Sequence, residues 1–412
     1  MSSDELIRPV VVPSPVRDPV RRLAAVALVL AAVNLRPAVT SLGPVLAEAR
    51  ADLGMSATVA GLLTSIPAVC FALVGLTAPR LARRYGPDAV IAVGIVVVVV
   101  GLALRPLAAV GGVFVALSAL ALGGIALVNV LLPVVVKRRF PDRVGTMTGV
   151  YSMALNVGAS TAAAATVPLA SGLGVGGWRL GLGAWAALAV VAVPPWWALA
   201  RRRRAEPAPG ATKPEESAAN VSRNPIAWAL AVYFGLQATA AYVIIGWLPQ
   251  IFRDAGLSAQ TAGLLFAVTS LLGVPLSLLL PSVAGRLRGQ SAIAVVLGVF
   301  GLAGYAGLWV APAAAPWVWA ALLGVANCSF PLALTMIGLR GRDSATVIRL
   351  SAFAQSVGYL LSVPGPVIVG ALYQYSGGWR APLVFLAGLM LVQLAAGLVA
   401  GRDRQLGPLP AA

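Results

Sequence analysis

Residues 51–63 read Ala-Asp-Leu-Gly-Met-Ser-Ala-Thr-Val-Ala-Gly-Leu-Leu, and residues 253–265 read Arg-Asp-Ala-Gly-Leu-Ser-Ala-Gln-Thr-Ala-Gly-Leu-Leu. This pair is not alone. Asn129…Pro133 matches Asn327…Pro331, and Gly176-Gly177-Trp178-Arg179 matches Gly377-Gly378-Trp379-Arg380, in the same order and at offsets near 200 residues. The chain is therefore one unit written twice. Between the copies, 201–224 opens with four consecutive arginines and continues as the only long polar stretch of the interior.

Each copy is a series of apolar runs. Val90–Leu104, with Val96–Val100 at its centre, is typical. Such a run is long enough to cross about 30 Å of hydrocarbon, which takes roughly 20 helical residues. The runs are continuously apolar rather than alternating, so helices are implied and barrel strands are not. Apolar residues make up 59% of the chain and charged ones 10%, with a mean hydropathy of +0.90. A water-soluble chain of this length needs far more charge to cover its surface. Breaks at Gly, Pro and charge give twelve expected spans, at 23–46, 57–78, 88–107, 113–136, 144–170, 179–199, 225–249, 261–281, 291–310, 317–338, 344–372 and 381–400. The expected fold class is an all-α integral membrane protein of two six-helix halves. The expected organisation is a tail at 1–22, a bundle at 23–200, a linker at 201–224, a second bundle at 225–401 and a tail at 402–412.

The net charge of +17 could mark a nucleic-acid binder, but the basic residues sit in short clusters between apolar runs. With both termini on the cytoplasmic side, 24 of the 30 Lys and Arg fall in cytoplasmic segments and five, Arg50, Arg105, Arg179, Arg253 and Arg380, fall outside. That asymmetry is the positive-inside pattern, so a multi-pass protein of the cytoplasmic membrane is expected, facing lipid and no nucleic acid. Arg179 and Arg380, each after Gly-Gly-Trp, read as interface anchors, and the run at 201–204 as an anchor on the inner leaflet. Cys70 and Cys328 both lie in apolar runs and the chain has no histidine. No disulfide framework, metal cluster, phosphate loop or catalytic triad can be assembled, so neither a cofactor nor an enzyme activity is expected.

Asn34-Leu35-Arg36-Pro37 followed by Thr40-Ser41-Leu42-Gly43-Pro44, and Pro133–Phe140 reading PVVVKRRF, resemble the cyanate/2-nitroimidazole (CynX/NimT) family of the major facilitator superfamily. Val232–Leu236, Gly246–Pro249 and Leu350–Gln355 fit the same family, and the resemblance covers almost the whole chain. It implies the major facilitator fold and alternating access, in which the halves rock about a central cavity, as expected for a monomeric secondary transporter of a small solute. The chain departs from the superfamily pattern after the second span. There Pro79–Gly86 reads PRLARRYG, with Arg83 where an acid normally stands, which puts the acid-centred charge relay in doubt.

Arg36 lies thirteen residues past Leu23, about 20 Å along the first helix. A charge at such depth normally faces a cavity and has a function. Its forked donors suit a small anion, although it could instead snorkel or brace the backbone beside Pro37. Helical spacing puts Arg36, Thr40 and Gly43 on one face. All thirteen acids fall in tails, loops or helix ends, so Arg36 has no evident buried counter-ion and is the one basic residue without an assigned surface. The reading is a secondary transporter of a small anion or small polar solute, cyanate-like, working by alternating access around Arg36. The alternatives are an exporter of neutral drug-like compounds such as 2-nitroimidazoles, and a non-transporting receptor or scaffold. Other candidate substrate-binding residues are Asn34, Asn129, Asn156, Gln237, Tyr242, Trp247, Asn327, Gln355 and Tyr359, each also able to hold helices together or pack. Arg83, Arg84 and Gly86, with Lys137, Arg138 and Arg139, are expected in cytoplasmic loops that move as the halves rock. Arg349 reads as a second charge at the inner mouth or as an anchor.

Overall fold

The computed structural model describes residues 18–171, 177–203, 221–342 and 344–406. Most of the expected N-terminal tail and linker, the end of the C-terminal tail, Gly176 and Arg204 lie outside the described residues. So do the acids Asp4, Glu5, Glu206, Glu215, Glu216 and Asp343. Among the described residues, twelve helical spans are long and apolar enough to cross a membrane: Pro19–Asp52, Ala57–Val74, Pro87–Leu107, Gly111–Arg139, Thr146–Ser171, Gly177–Arg202, Pro225–Asp254, Ala259–Ser277, Ser291–Val310, Pro316–Arg340, Thr346–Ser376 and Arg380–Ala400. They are called spans 1 to 12 below. Each coincides with an expected run, and most differences fall at the ends. The helix of span 1 begins at Asp18, inside the stretch expected as tail. The helix of span 2 runs on to Tyr85. Arg83, Arg84, Lys137, Arg138 and Arg139 therefore sit in last helical turns rather than in loops, where cations meet the negative helix end. Gly86 closes the turn at φ +84°, a conformation that disfavours a side chain. Arg349 lies within the helix Ser344–Ser362.

Three spans are interrupted, each with chemistry at the break. Span 1 divides at Arg36, where Pro37 has no N–H to continue the ladder, and again at Ser41-Leu42, giving Asp18–Leu35, Pro37–Thr40, a tight turn at Gly43–Val45 and Leu46–Asp52. Span 11 divides at Val363 before Pro364. Span 10 divides at Asn327-Cys328, whereas span 4, with the same Asn-x-x-x-Pro spacing, stays continuous through Pro133. In span 10 the Ser329 hydroxyl donates to the Ala326 carbonyl at 2.8 Å and the Cys328 thiol to the Gly324 carbonyl at 3.6 Å. These side chains satisfy acceptors that the broken ladder releases. The corresponding Val130 and Leu131 of span 4 offer no donor.

The two halves touch at the end that carries the repeated Asp52 and Asp254 turns. A Cβ added to Gly43 would lie 2.2 Å from the Ile245 carbonyl oxygen, and one added to Gly61 would lie 2.4 Å from that of Pro366. Glu48 and Arg253 pair across the halves at 2.8 Å, and the Thr58 hydroxyl donates to Gln374 Oε1 at 3.1 Å. Gly43→Ala is expected to wedge this closed end apart. With Cys70 and Cys328 replaced by Ala, spin labels at positions 171 and 260 should report a longer distance in the variant. An unchanged distance distribution would mean that the Gly43 contact does not hold the halves together.

In each half an acid at the end of the first span holds the tryptophan where the sixth begins, and in the second half it also holds Tyr373 of span 11. Asp52 accepts from Trp178 Nε1 at 3.1 Å and from Arg179 Nη2 at 2.8 Å; Asp254 accepts from Trp379 Nε1 and the Tyr373 hydroxyl, both at 2.8 Å. Trp178 is buried. The Gly-Gly-Trp motifs thus each hold an acid, a bond that reading Arg179 as an interface anchor did not anticipate. Arg380 is exposed and lies over the Trp309 ring.

At the opposite end Asp88 is 0% exposed and is shared by Arg138 at 2.8 Å and Arg139 at 2.7 Å. The acid missing at position 83 is thus supplied just beyond Gly86, in the first turn of span 3, where an acid also suits the helix N-terminus. Asp88→Asn keeps the shape and removes the charge that two guanidiniums share. A loss of about 2 kcal/mol in unfolding free energy is expected, measured by denaturant titration in detergent; a wild-type midpoint would show the node to be idle.

Candidate functional site

Between the halves lies a cavity of about 450 Å³. It runs from Thr40, Ile245 and Phe266 beneath the closed end to Thr148, Ser277, Pro281 and Thr335, which stand near the far ends of their helices. Arg36 is on its wall, half-buried, and its place follows from the break beside it. The Arg36 carbonyl accepts the main-chain N–H groups of Val39 and Thr40 at 3.0 Å and the Thr40 hydroxyl at 3.1 Å. The residue is therefore fixed by its own backbone while its guanidinium is left to the cavity. Among the described residues that guanidinium makes no ion pair and no hydrogen bond. It lies within electrostatic reach of the Tyr242 and Tyr359 hydroxyls.

Thr40, Asn129, Asn156, Gln237, Tyr242, Asn327 and Tyr359 share the wall with Arg36. Asn129 and Asn327, equivalent in the two repeats, both line the cavity without a side-chain hydrogen bond among the described residues. Asn156 donates to the Ser152 carbonyl at 3.2 Å. Among the described residues the buried Gln237 Oε1 has no hydrogen-bond partner. The Tyr359 ring is stacked on Phe71 and met edge-on by Phe234, so its hydroxyl has little freedom.

Three candidates lie off the wall. Asn34 turns back on its own helix and donates to the Leu30 carbonyl at 2.8 Å. Gln355 does likewise, donating to Ser351 Oγ at 2.7 Å. Trp247 is buried at the closed end, packed against Trp379 and Tyr373 with Arg50 over its ring. Arg349 is also absent from the wall. The structure adds hydroxyls that sequence reasoning passed over, namely Thr148, Ser152, Thr269, Ser270, Ser277 and Thr335. Ser and Thr satisfy themselves on the preceding turn, as Thr269 does on the Phe266 carbonyl at 2.7 Å, so they look alike facing lipid or water.

A second cation stands behind the first. Arg105, expected at an external surface, is 1% exposed. Its Nη1 donates to the Ala38 carbonyl at 2.8 Å and its Nη2 to Ser41 Oγ at 3.2 Å. That carbonyl is free because, after the break, the Leu42 N–H turns to Val39 rather than to Ala38. Arg105 thus props span 1 on the face away from the cavity, two residues beyond Arg36. Arg340, also expected at a surface, is buried too, donating to the Ala400 carbonyl at 3.0 Å and bonded to Gln290. Arg36 is therefore not alone among basic residues in lacking a surface.

Compared with known proteins, residues 28–363 match the family model of the Major Facilitator Superfamily. The chain is 34% identical to the 2-nitroimidazole transporter of Escherichia coli over 385 residues, covering 92% of this chain and 95% of that one. It is 32% identical to the cyanate transport protein CynX of the same organism over 374 residues, covering 89% and 95%. Among solved structures, a bacterial homologue of the human lysosomal transporter Spinster, in an inward-facing and occupied conformation, superposes with a TM-score of 0.78 at 17% identity, covering 96% of this chain and 99% of that one. The chain belongs to the major facilitator superfamily, in the family of the cyanate and 2-nitroimidazole transporters, and it is a secondary transporter rather than an enzyme.

Proposed function

We propose that this major facilitator transporter carries a small anion across the cytoplasmic membrane, with Arg36 as the cationic centre of its binding site. The observation that carries the proposal is the Arg36 guanidinium on the cavity wall with no carboxylate or carbonyl bonded to it among the described residues. A charge left unpaired within the membrane is costly, and a bound anion relieves that cost through charge-assisted hydrogen bonds. The relative named for cyanate transport supports the class. The surplus of Lys and Arg at one side of the chain supports cytoplasmic termini, so the closed end faces outward and the cavity faces the cytoplasm. Thr40, Asn129, Asn156, Gln237, Tyr242, Asn327 and Tyr359 supply neutral polar contacts, while Asp88, Arg138 and Arg139 tie spans 3 and 4 together at the cytoplasmic end.

A second reading draws on the size and apolar character of the wall. Phe71, Phe266, Leu122, Ile125, Ile244 and Leu334 leave room for more than a triatomic ion. The relative named for 2-nitroimidazole transport fits a flat, weakly polar cargo. Proteoliposomes holding the purified protein separate the two. Under the first, labelled cyanate enters faster than into protein-free vesicles and unlabelled cyanate or nitrite competes. Labelled 2-nitroimidazole moving while cyanate neither moves nor competes would overturn it in favour of the second.

A further inference from the structure

We infer that the transporter is an anion exchanger, switching sides readily only when an anion is bound. The inference rests on the anion reading above and adds the mode of coupling. Two guanidiniums flank one broken turn of span 1, Arg36 on the cavity side and Arg105 behind it, and both of Arg105's partners, Ala38 O and Ser41 Oγ, are neutral. Among the described residues the cavity wall holds no Asp or Glu, and the whole chain holds no His. Besides Arg36, the titratable groups on the wall are Tyr242, Tyr359 and Cys328, which are neutral as acids and carry no negative charge to set against the cations.

To change sides the halves must pass through an arrangement in which the cavity is closed at both ends and its water is reduced. An empty carrier takes the Arg36 charge through that step with nothing to pair it, where the medium screens it least. A monovalent anion cancels the charge and supplies the acceptors that the fork lacks. The loaded carrier therefore crosses in either direction over a lower barrier than the empty one, and net flow, which requires an empty return, is the slow process. A proton cannot substitute for the anion, since protonating any group on this wall only adds positive charge. Influx of one anion is thereby tied to efflux of another.

The full-length protein in proteoliposomes tests this, with labelled cyanate outside and either unlabelled cyanate or gluconate inside. Uptake into cyanate-loaded vesicles is expected to be at least about tenfold faster than into gluconate-loaded ones, the ratio that about 1.4 kcal/mol of barrier difference produces. An imposed pH gradient should not replace the internal anion. Equal rates with and without internal cyanate, or accumulation driven by the pH gradient alone, would overturn exchange while leaving the anion reading intact. If cyanate, nitrite and formate all fail to move or to exchange under any internal condition, the anion reading itself falls and exchange falls with it.

Discussion

Arg36→Gln is expected to lower kcat/KM for a small anion by about 100-fold or more, and Arg36→Lys to retain a measurable part of it. The size follows from what the fork provides. Hydrogen bonds to a charged partner are worth about 1.5–3 kcal/mol each, and two of them exceed the roughly 2.7 kcal/mol that a factor of 100 represents. Lysine keeps the charge but presents a point rather than a planar fork, so it restores attraction without two-point orientation. Stability should respond in the opposite sense. Arg36 makes no side-chain hydrogen bond or ion pair among the described residues, so Arg36→Gln removes a desolvation cost and no bond. Uptake and thermal midpoint measured on the same preparations distinguish the roles. A variant with unaltered uptake and a lowered midpoint would recast Arg36 as a brace for the break at Pro37.

Arg105→Ala is expected to lower the unfolding free energy by about 3 kcal/mol. The Ala38 carbonyl and Ser41 hydroxyl lose their donor inside the protein, at about 1–3 kcal/mol for each group left without a partner. The space of a fully buried side chain is vacated as well. Arg105→Met refills the volume and removes a buried charge but leaves both acceptors, so it should fall between alanine and wild type. Because Ala38 lies two residues past Arg36, the amides of residues 38–42 should exchange hydrogen faster in both variants, and anion uptake should fall with them. Wild-type stability and exchange in Arg105→Ala would show that span 1 holds its shape without the strut.

The fold was legible because lipid imposes a length on every helix, and the apolar runs declare that length regardless of how they pack. Charges at helix ends were not legible in the same way. Asp88, Arg105 and Arg340 each stand at the end of an apolar run, where a side chain can reach water or fold back onto a neighbouring helix. Only the neighbour decides, and it is remote in sequence: fifty residues for Asp88 and Arg138, sixty-seven for Arg105 and Ala38. The break in span 10 depended on Ser329 and Cys328, whose donors are invisible to a search for Gly and Pro.

Placement around the cavity was legible for residues with no local way to satisfy themselves. Arg36, Asn129, Gln237 and Asn327 find no partner on their own helix, and the structure lines the cavity with them. Asn34 and Gln355 are the same residue types and close a bond within their own turn, off the wall, whereas Asn156 closes such a bond onto Ser152 and still lines the cavity, so spacing alone does not sort them. Trp247 went astray for a different reason. Rings serve equally well as cavity wall and as packing at the closed end, and Trp379, Tyr373 and Arg50 converge there.

The claim that an anion binds at Arg36 is tested most directly by an anomalous difference map from crystals of the protein grown with selenocyanate, a heavy-atom analogue of cyanate. The account predicts a selenium peak in the central cavity with the anion within hydrogen-bond reach of the Arg36 guanidinium, absent from crystals of Arg36→Gln prepared alike. A peak that persists in Arg36→Gln, or none in the wild-type cavity at a concentration that competes for uptake, would contradict it.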